Sequence, residues 1–283
     1  MDLKDKTCII TGATSGIGKV TALAVAAEGC RLVLPLRNMQ KGEALKEEIL
    51  QKTGNEHVEL FPCRLDSFES IREFAGKFRE KYSGLHLLVN NAGLWEMKRK
   101  TSEDGIEMNF AVNHLAPFLL TNLLLDVIKK SSPARIINVA SEAHRQGKMR
   151  FDDLEGEKKW SGFRSYAQSK LANILFTRKL SAMVAENGIT VNSLHPGVVS
   201  TRLFDKMPPF LRGIFRLFMI SPEKGAQTSI YLATSPEVEK TTGKYFAKKK
   251  IKKPNAEALS DANADKLWEV SLRYTGLEKN KTS

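Results

Sequence analysis

Cysteine is scarce in this sequence, with only Cys8, Cys30 and Cys63 in 283 residues. They are odd in number, far apart, and free of any C-x-x-C or histidine spacing, so neither a disulfide framework nor a zinc site is indicated. A reducing, cytoplasmic compartment is therefore expected. The sequence also lacks any run of about 18 uncharged apolar residues, the length a membrane-crossing helix requires. Its first residues, MDLKDKTCII, carry charge where a secretory signal is apolar, so neither export by that route nor a membrane span is expected. Long Pro/Gly/Ser linkers and internal repeats are missing too, which leaves a single domain over 1–283 as the expected organisation. His57, His86, His114 and His195 show no metal spacing and receive no chemistry.

What is present is the composition of an ordinary globule, 42% apolar and 27% charged. A chain of this length buries roughly 75% of its unfolded surface, which excludes disorder throughout. Lys plus Arg number 44 against 32 Asp plus Glu, a net charge of +12. That balance suits a phosphate-bearing ligand, nucleic acid or an anionic membrane surface. Nucleic acid is disfavoured, because no recognition motif accompanies the lysines.

Short β-branched runs alternate with segments of helical period. Strands are predicted at TCIIT (7–11), RLVLPL (31–36), HVELF (57–61), LHLLVN (85–90), ARIINVA (134–140), ITVNSLH (189–195) and GKYFA (243–247). Helices are predicted from about Ile17, Met39, Ser67, Asp104, Gly162, Pro222 and Ser260. This alternation predicts a Rossmann-type α/β fold: a doubly wound parallel sheet of about seven strands with helices on both faces. Pro35 is awkward inside the second strand, because it removes a ladder donor.

The first strand runs into TGATSGIGK, whose Gly12, Gly16 and Gly18 lead into an apolar helix. Glycines let the backbone turn sharply and approach a ligand, while the amides of a helix N-terminus favour a diphosphate. The turn, with Thr14, Ser15, Ile17 and Lys19, is a candidate dinucleotide site. A tight turn with no ligand is the competing reading. The second strand ends at Arg37, where an NAD-selective site would carry an acid; an arginine there, with Lys19 nearby, suits the 2′-phosphate of NADP. Asp66 is placed to accept from an adenine amino group or to cap the helix near Ser67.

In SYAQSKLANILF, Tyr166 and Lys170 lie one helical turn apart, which puts their side chains on the same face. A free phenol titrates near 10, and an adjacent ammonium together with a cationic nicotinamide would favour its phenolate, giving a tuned acid/base.

With these residues in view, the whole chain resembles the short-chain dehydrogenase/reductase family. The resemblance is carried by TGATSGIG (11–18), NNAG (90–93), Asn113 in VNHLAPF, Ser141 after INVA, Tyr166 with Lys170, and Pro196-Gly197 followed by Thr201. Phrases such as RIINVASEAH, FDDLEG and ITVNSLHPGVV look closest to the retinol dehydrogenase and protochlorophyllide reductase-like branch. The resemblance implies that Ser141 hydrogen-bonds the substrate oxygen, Tyr166 passes the proton, Lys170 holds the cofactor ribose and lowers the phenol's pKa, and Asn113 anchors a water leading to that lysine. It also implies that Asn91 lines the adenine-ribose side, and that Pro196, Gly197 and Thr201 meet the nicotinamide. Pro35, in place of the small residue usual before the arginine, and the missing N-terminal anchor common among animal retinol dehydrogenases depart from the pattern.

The expected ligand lies beyond the carboxyl ends of the strands, and segment 202–221 is the longest insertion there. Its apolar residues, interrupted by Arg212 and Arg216, suit a lid, a lipophilic substrate or a bilayer surface. Trp95, Met97 and His144 are candidate pocket lining. The lysine run KYFAKKKIKKP fits peripheral attraction to anionic lipid or a solvated loop. The helix of Tyr166 to Val184, apolar on more than one face, requires a partner beyond the sheet. The resemblance implies a second subunit, in a dimer or tetramer. The expected activity is that of an NADP-dependent oxidoreductase or carbonyl reductase of a hydrophobic small molecule. Reduction of a ring double bond and a cofactor-binding sensor or scaffold without turnover are the alternatives.

Overall fold

The computed structural model describes residues 1–197 and 220–278. The β-branched runs form parallel strands β1 (Thr7–Ile10), β2 (Arg31–Leu36), β3 (Val58–Pro62), β4 (Leu87–Asn90), β5 (Ala134–Val139), β6 (Ile189–His195) and β7 (Tyr245–Ala247). A short strand not expected from the sequence, β8 (Lys250–Ile251), folds back antiparallel on β7. Together they form one sheet in the order β3-β2-β1-β4-β5-β6-β7-β8, the doubly wound topology.

The helices pack on both of its faces. They are α1 (Gly16–Ala26), α2 (Met39–Thr53), α3 (Phe68–Lys81), α4 (Met108–Lys130), α5 (Gly162–Met183), α6 (Pro222–Thr234) and α7 (Asp261–Tyr274). One buried core packs α3, α4, α5 and α7 against the sheet; the other packs α1, α2 and α6 against the opposite face. Helix α4 is long and apolar enough to cross a membrane, but 72% of its most apolar stretch is buried here, as a central core helix must be.

Local chemistry explains the boundaries. Asn38, Ser67, Ser221 and Ser260 each accept an amide hydrogen bond at the first turn of α2, α3, α6 and α7. Gly54 ends α2 in the left-handed conformation. Pro35 is tolerated because the Arg31 amide donates toward β1 and the Leu32 amide toward β3. By that alternation the nitrogen of Pro35 faces β1, whose pairing with β2 has already ended at Val33, so no ladder bond is lost. The three cysteines are buried free thiols.

Candidate active site

All the parallel strands end on one edge, and the candidate residues leave from that edge. Beyond β1, Gly12 and Gly16 take φ of 67° and 54°. A side chain at Gly12 would press on Ala92, and one at Gly18 would strike the Gly12 carbonyl and the Asn91 amide, so the turn closes only with glycine. Asn91 buckles it from β4: its amide group donates to the carbonyls of Thr11 at 2.9 Å and Gly12 at 3.2 Å. The Thr11 hydroxyl in turn accepts the Asn91 and Ala92 N–H groups, both at 3.0 Å.

Ser15 is the first flanking residue of α1, yet its side chain makes no capping bond, and the first turn carries no acid. The helix therefore presents uncapped amides to the turn, which is what a diphosphate requires. Arg37 is exposed just beyond β2 and has no hydrogen-bond or ion-pair partner among the described residues. A nicotinamide dinucleotide fits these residues. Lys19 is placed differently from expectation: its ammonium pairs with Glu48 of α2 at 2.5 Å. Hydrogen bonds from Lys19 and Lys52 hold the Glu48 carboxyl below its usual range. Asp66 does not cap α3. Ser67 does, while the Asp104 carboxylate accepts the Phe68 N–H at 3.1 Å and Asp66 pairs with Arg64 at 3.4 Å.

The catalytic candidates gather where β4, β5 and α5 converge. Tyr166 and Lys170 are 7% and 4% exposed. The lysine nitrogen donates to the Val139 carbonyl at 3.0 Å and lies 5.8 Å from the Tyr166 ring centre. Burial pushes the phenol up to about 12, and its hydrogen bond with Ser141 pulls the other way. Burial also brings the Lys170 ammonium down to about 8. The sequence leads one to expect a phenol lowered by the lysine and a bound cationic nicotinamide together; in the chain alone, desolvation is the largest influence on both the tyrosine and the lysine.

Asn113 lies in a π-turn, Ala111–Leu115, inside α4. Fully buried, it accepts the Leu94 N–H at 2.8 Å and donates to the Leu94 carbonyl at 2.9 Å and the Ser169 hydroxyl at 3.0 Å. Both its N–H groups are thus committed, and only the second lone pair of Oδ1 is left for a water. Ser169, which carries no spacing signal in the sequence, donates to the Tyr166 carbonyl at 2.7 Å and so ties Asn113 to the catalytic helix.

Ser141 begins the short 3₁₀ turn Glu142–Gln146, accepting the Ala143 N–H at 3.2 Å. That turn is pinned from three sides. The Glu142 N–H donates to His195 Nδ1 at 3.2 Å, and the Glu142 carboxylate accepts from Tyr245 at 2.7 Å and Arg145 at 2.6 Å. His144, buried, bonds the Ser141 carbonyl through Nδ1 at 2.7 Å and packs its ring on Tyr245. Burial lowers the pKa of both histidines, that of His195 to about 4, so they act here as neutral struts.

Trp95 stacks on the Tyr166 ring at 5.4 Å and meets Phe163 edge-on at 6.0 Å. Phe163 and Met97 are exposed, so an apolar wall rises beside the phenol. Pro196 and Gly197 follow β6, with Gly197 at φ 97° against Ile220. Thr201 and, apart from Ile220 and Ser221, the expected covering segment 202–221 lie outside the described residues. No cluster of metal-ligating side chains occurs among the described residues.

Comparison with known proteins agrees with this geometry. The sequence profile of the short chain dehydrogenase family matches residues 6–210. Human Retinol dehydrogenase 13 is 46% identical over 96% of this chain and 85% of its own length. Human Retinol dehydrogenase 11 is 40% identical over 98% and 88%. A crystal structure of an uncharacterized protein from Mycobacterium Paratuberculosis superposes with a TM-score of 0.79 at 28% identity, covering 97% of this chain and 95% of that one. On its sequence, its sheet order and its convergent Ser141, Tyr166 and Lys170, the chain belongs to the short-chain dehydrogenase family of nicotinamide-dependent oxidoreductases.

Proposed function

We propose that the chain is an NADP-dependent oxidoreductase that moves a hydride between nicotinamide and the alcohol or carbonyl carbon of a hydrophobic small molecule such as a retinoid, steroid or lipid aldehyde. The observation that carries this reading is the hydrogen bond between half-buried Ser141 and the buried Tyr166 hydroxyl, with Lys170 one helical turn from the tyrosine at the carboxyl edge of the sheet. When bound, the dinucleotide supplies or accepts the hydride. The turn from Gly12 to Gly18, Arg37 and Lys170 would hold it.

The chain's own residues do the rest. In the reducing direction the Ser141 and Tyr166 hydroxyls donate to the carbonyl oxygen as negative charge grows on it, the arrangement of an oxyanion hole. A phenol titrating near 12 stays protonated at neutral pH and is ready to release its proton to that oxygen. Lys170 spends one N–H on Val139 and keeps two for ribose hydroxyls. Trp95, Phe163 and Met97 exclude water beside the phenol and offer an apolar surface to a lipophilic chain. The names of the relatives favour retinol or retinaldehyde within this class.

The NADP preference is supported by the unpartnered Arg37 alone, because Lys19 is engaged by Glu48. The test is a screen of retinaldehyde, an aliphatic aldehyde and a steroid ketone with the purified chain, following NADPH and NADH oxidation in parallel. Turnover with NADPH is expected, together with cofactor binding over tenfold tighter than NADH, equivalent to about 1.4 kcal/mol. Arg37→Asp should reverse that preference. No turnover with either cofactor overturns the oxidoreductase reading, and equal affinities overturn the cofactor choice.

A further inference from the structure

Six lysines, Lys244, Lys248, Lys249, Lys250, Lys252 and Lys253, fall within ten residues at the end of the sheet. All six are exposed, and among the described residues none is in an ion pair. Some surface cations elsewhere, among them Lys19, Lys52, Lys81 and Arg178, face a carboxylate. The β7–β8 hairpin is thus an uncompensated positive ridge.

Its geometry is firm. Ala247 pairs with Lys250, so Lys248 and Lys249 form a two-residue loop, and both take left-handed φ, 52° and 61°. Asparagine and glycine fit that turn more easily, so lysines stand there against local preference. The Lys249 N–H donates to Thr228 of α6 at 3.2 Å, and Arg145 donates to the Lys253 carbonyl at 3.2 Å, which ties both ends of the hairpin to the body. Among the cations sits Ile251, at 56% the most exposed large hydrophobic side chain among the described residues.

The position decides the partner. Ala247 lies opposite His195, the last residue of β6, so the lysine turn projects from the carboxyl edge of the sheet, the edge that carries Ser141 and Gly197. We propose that the β7–β8 hairpin docks on an anionic lipid bilayer, turning the substrate side of the enzyme toward the membrane. Lysines complement acidic headgroups, and an isoleucine between them reaches the boundary of the acyl region. This orientation rests on the reading of the substrate as lipophilic, since such a molecule is concentrated in the bilayer; the docking itself does not need that reading.

The test is co-sedimentation of the full chain with vesicles of phosphatidylcholine alone or mixed with phosphatidylserine. Binding to the mixed vesicles only, released by high salt, is expected. Lys248→Asn and Lys249→Asn keep the left-handed turn while removing charge. Combined with Lys250→Gln and Lys252→Gln, they should weaken binding by more than ~100-fold, at roughly fivefold per lysine. Ile251→Asn alone, with the lysines in place, should also weaken binding, leaving a weaker attachment released at lower salt. Turnover of a water-soluble aldehyde should be unchanged in every variant, which shows that they are folded. Equal binding of wild type and the lysine variant, or no binding to anionic vesicles, overturns the proposal. So does a hairpin that takes up single-stranded DNA as tightly as anionic vesicles, with Ile251→Asn indifferent. A chain that docks but turns over no substrate defeats the proposed function and leaves the docking standing.

Discussion

Burial moves Tyr166 and Lys170 in opposite senses, because it disfavours the charged form of each: the phenol rises to about 12 and the ammonium falls to about 8. Lys170, not Tyr166, is therefore the group that titrates within the working range. Its charge is present below about 8 and lost above it, so kcat/KM for carbonyl reduction should be level near pH 7 and decline as pH rises through about 8. A profile that stays level to pH 10 would show that the lysine charge is not required. Tyr166→Phe keeps the ring stacked on Trp95 and removes only the proton donor. Turnover should fall about 100-fold or more, cofactor binding should survive in a direct titration, and the residual rate should keep the same midpoint. Wild-type turnover by this variant would remove Tyr166 from the reaction. At this scale the sequence was most legible where residue types are chemically rare in combination, as with Tyr166, Lys170 and Ser141. Ser169 and Thr11 escaped notice because a small hydroxyl has no spacing signal of its own, and the partner of Lys19 became visible only once α2 brought Glu48 across.

At the scale of elements, the period-2 and period-3.6 patterns placed all seven α-helices of the described chain, though not the short 3₁₀ turns, and β2 and β6 to the residue. They did not reveal the π-turn in α4, since a one-residue widening leaves the apolar spacing almost unchanged; nor did they reveal β8, only two residues long. The π-turn matters because it carries Asn113, the joint between α4, the loop after β4 and α5. Asn113→Ala would leave the half-buried Leu94 N–H and carbonyl without their partners, while the Ser169 hydroxyl keeps its bond to the Tyr166 carbonyl. Leaving such groups unpaired costs about 1–3 kcal/mol each, so the variant should lose at least ~2 kcal/mol in chemical denaturation as well as activity. Loss of activity with unchanged stability would assign Asn113 a purely chemical role.

For the whole molecule, the question is what covers α5. Its apolar residues on more than one face suggested a second subunit, but α7 of the same chain occupies that face. Trp268 packs on Phe176 and Phe118, His114 bonds Ser271 at 2.9 Å, and Arg178 and Lys179 pair with Asp261 and Asp265, each at 2.6 Å. A partner helix could reach this face only by displacing α7, while Met183 near the end of α5 stays exposed. Leu267, 1% exposed within this seam, is the place to test the point. Leu267→Ala should cost about 2–5 kcal/mol, the usual range for a buried leucine, without touching Ser141, Tyr166 or Lys170. The variant, with α7 loosened, should gain a tendency to self-associate through the uncovered Phe176 and Leu180, measured by sedimentation beside the wild-type chain. A wild-type dimer that persists in the variant with unchanged affinity would place the subunit contact elsewhere and separate assembly from the packing of α7.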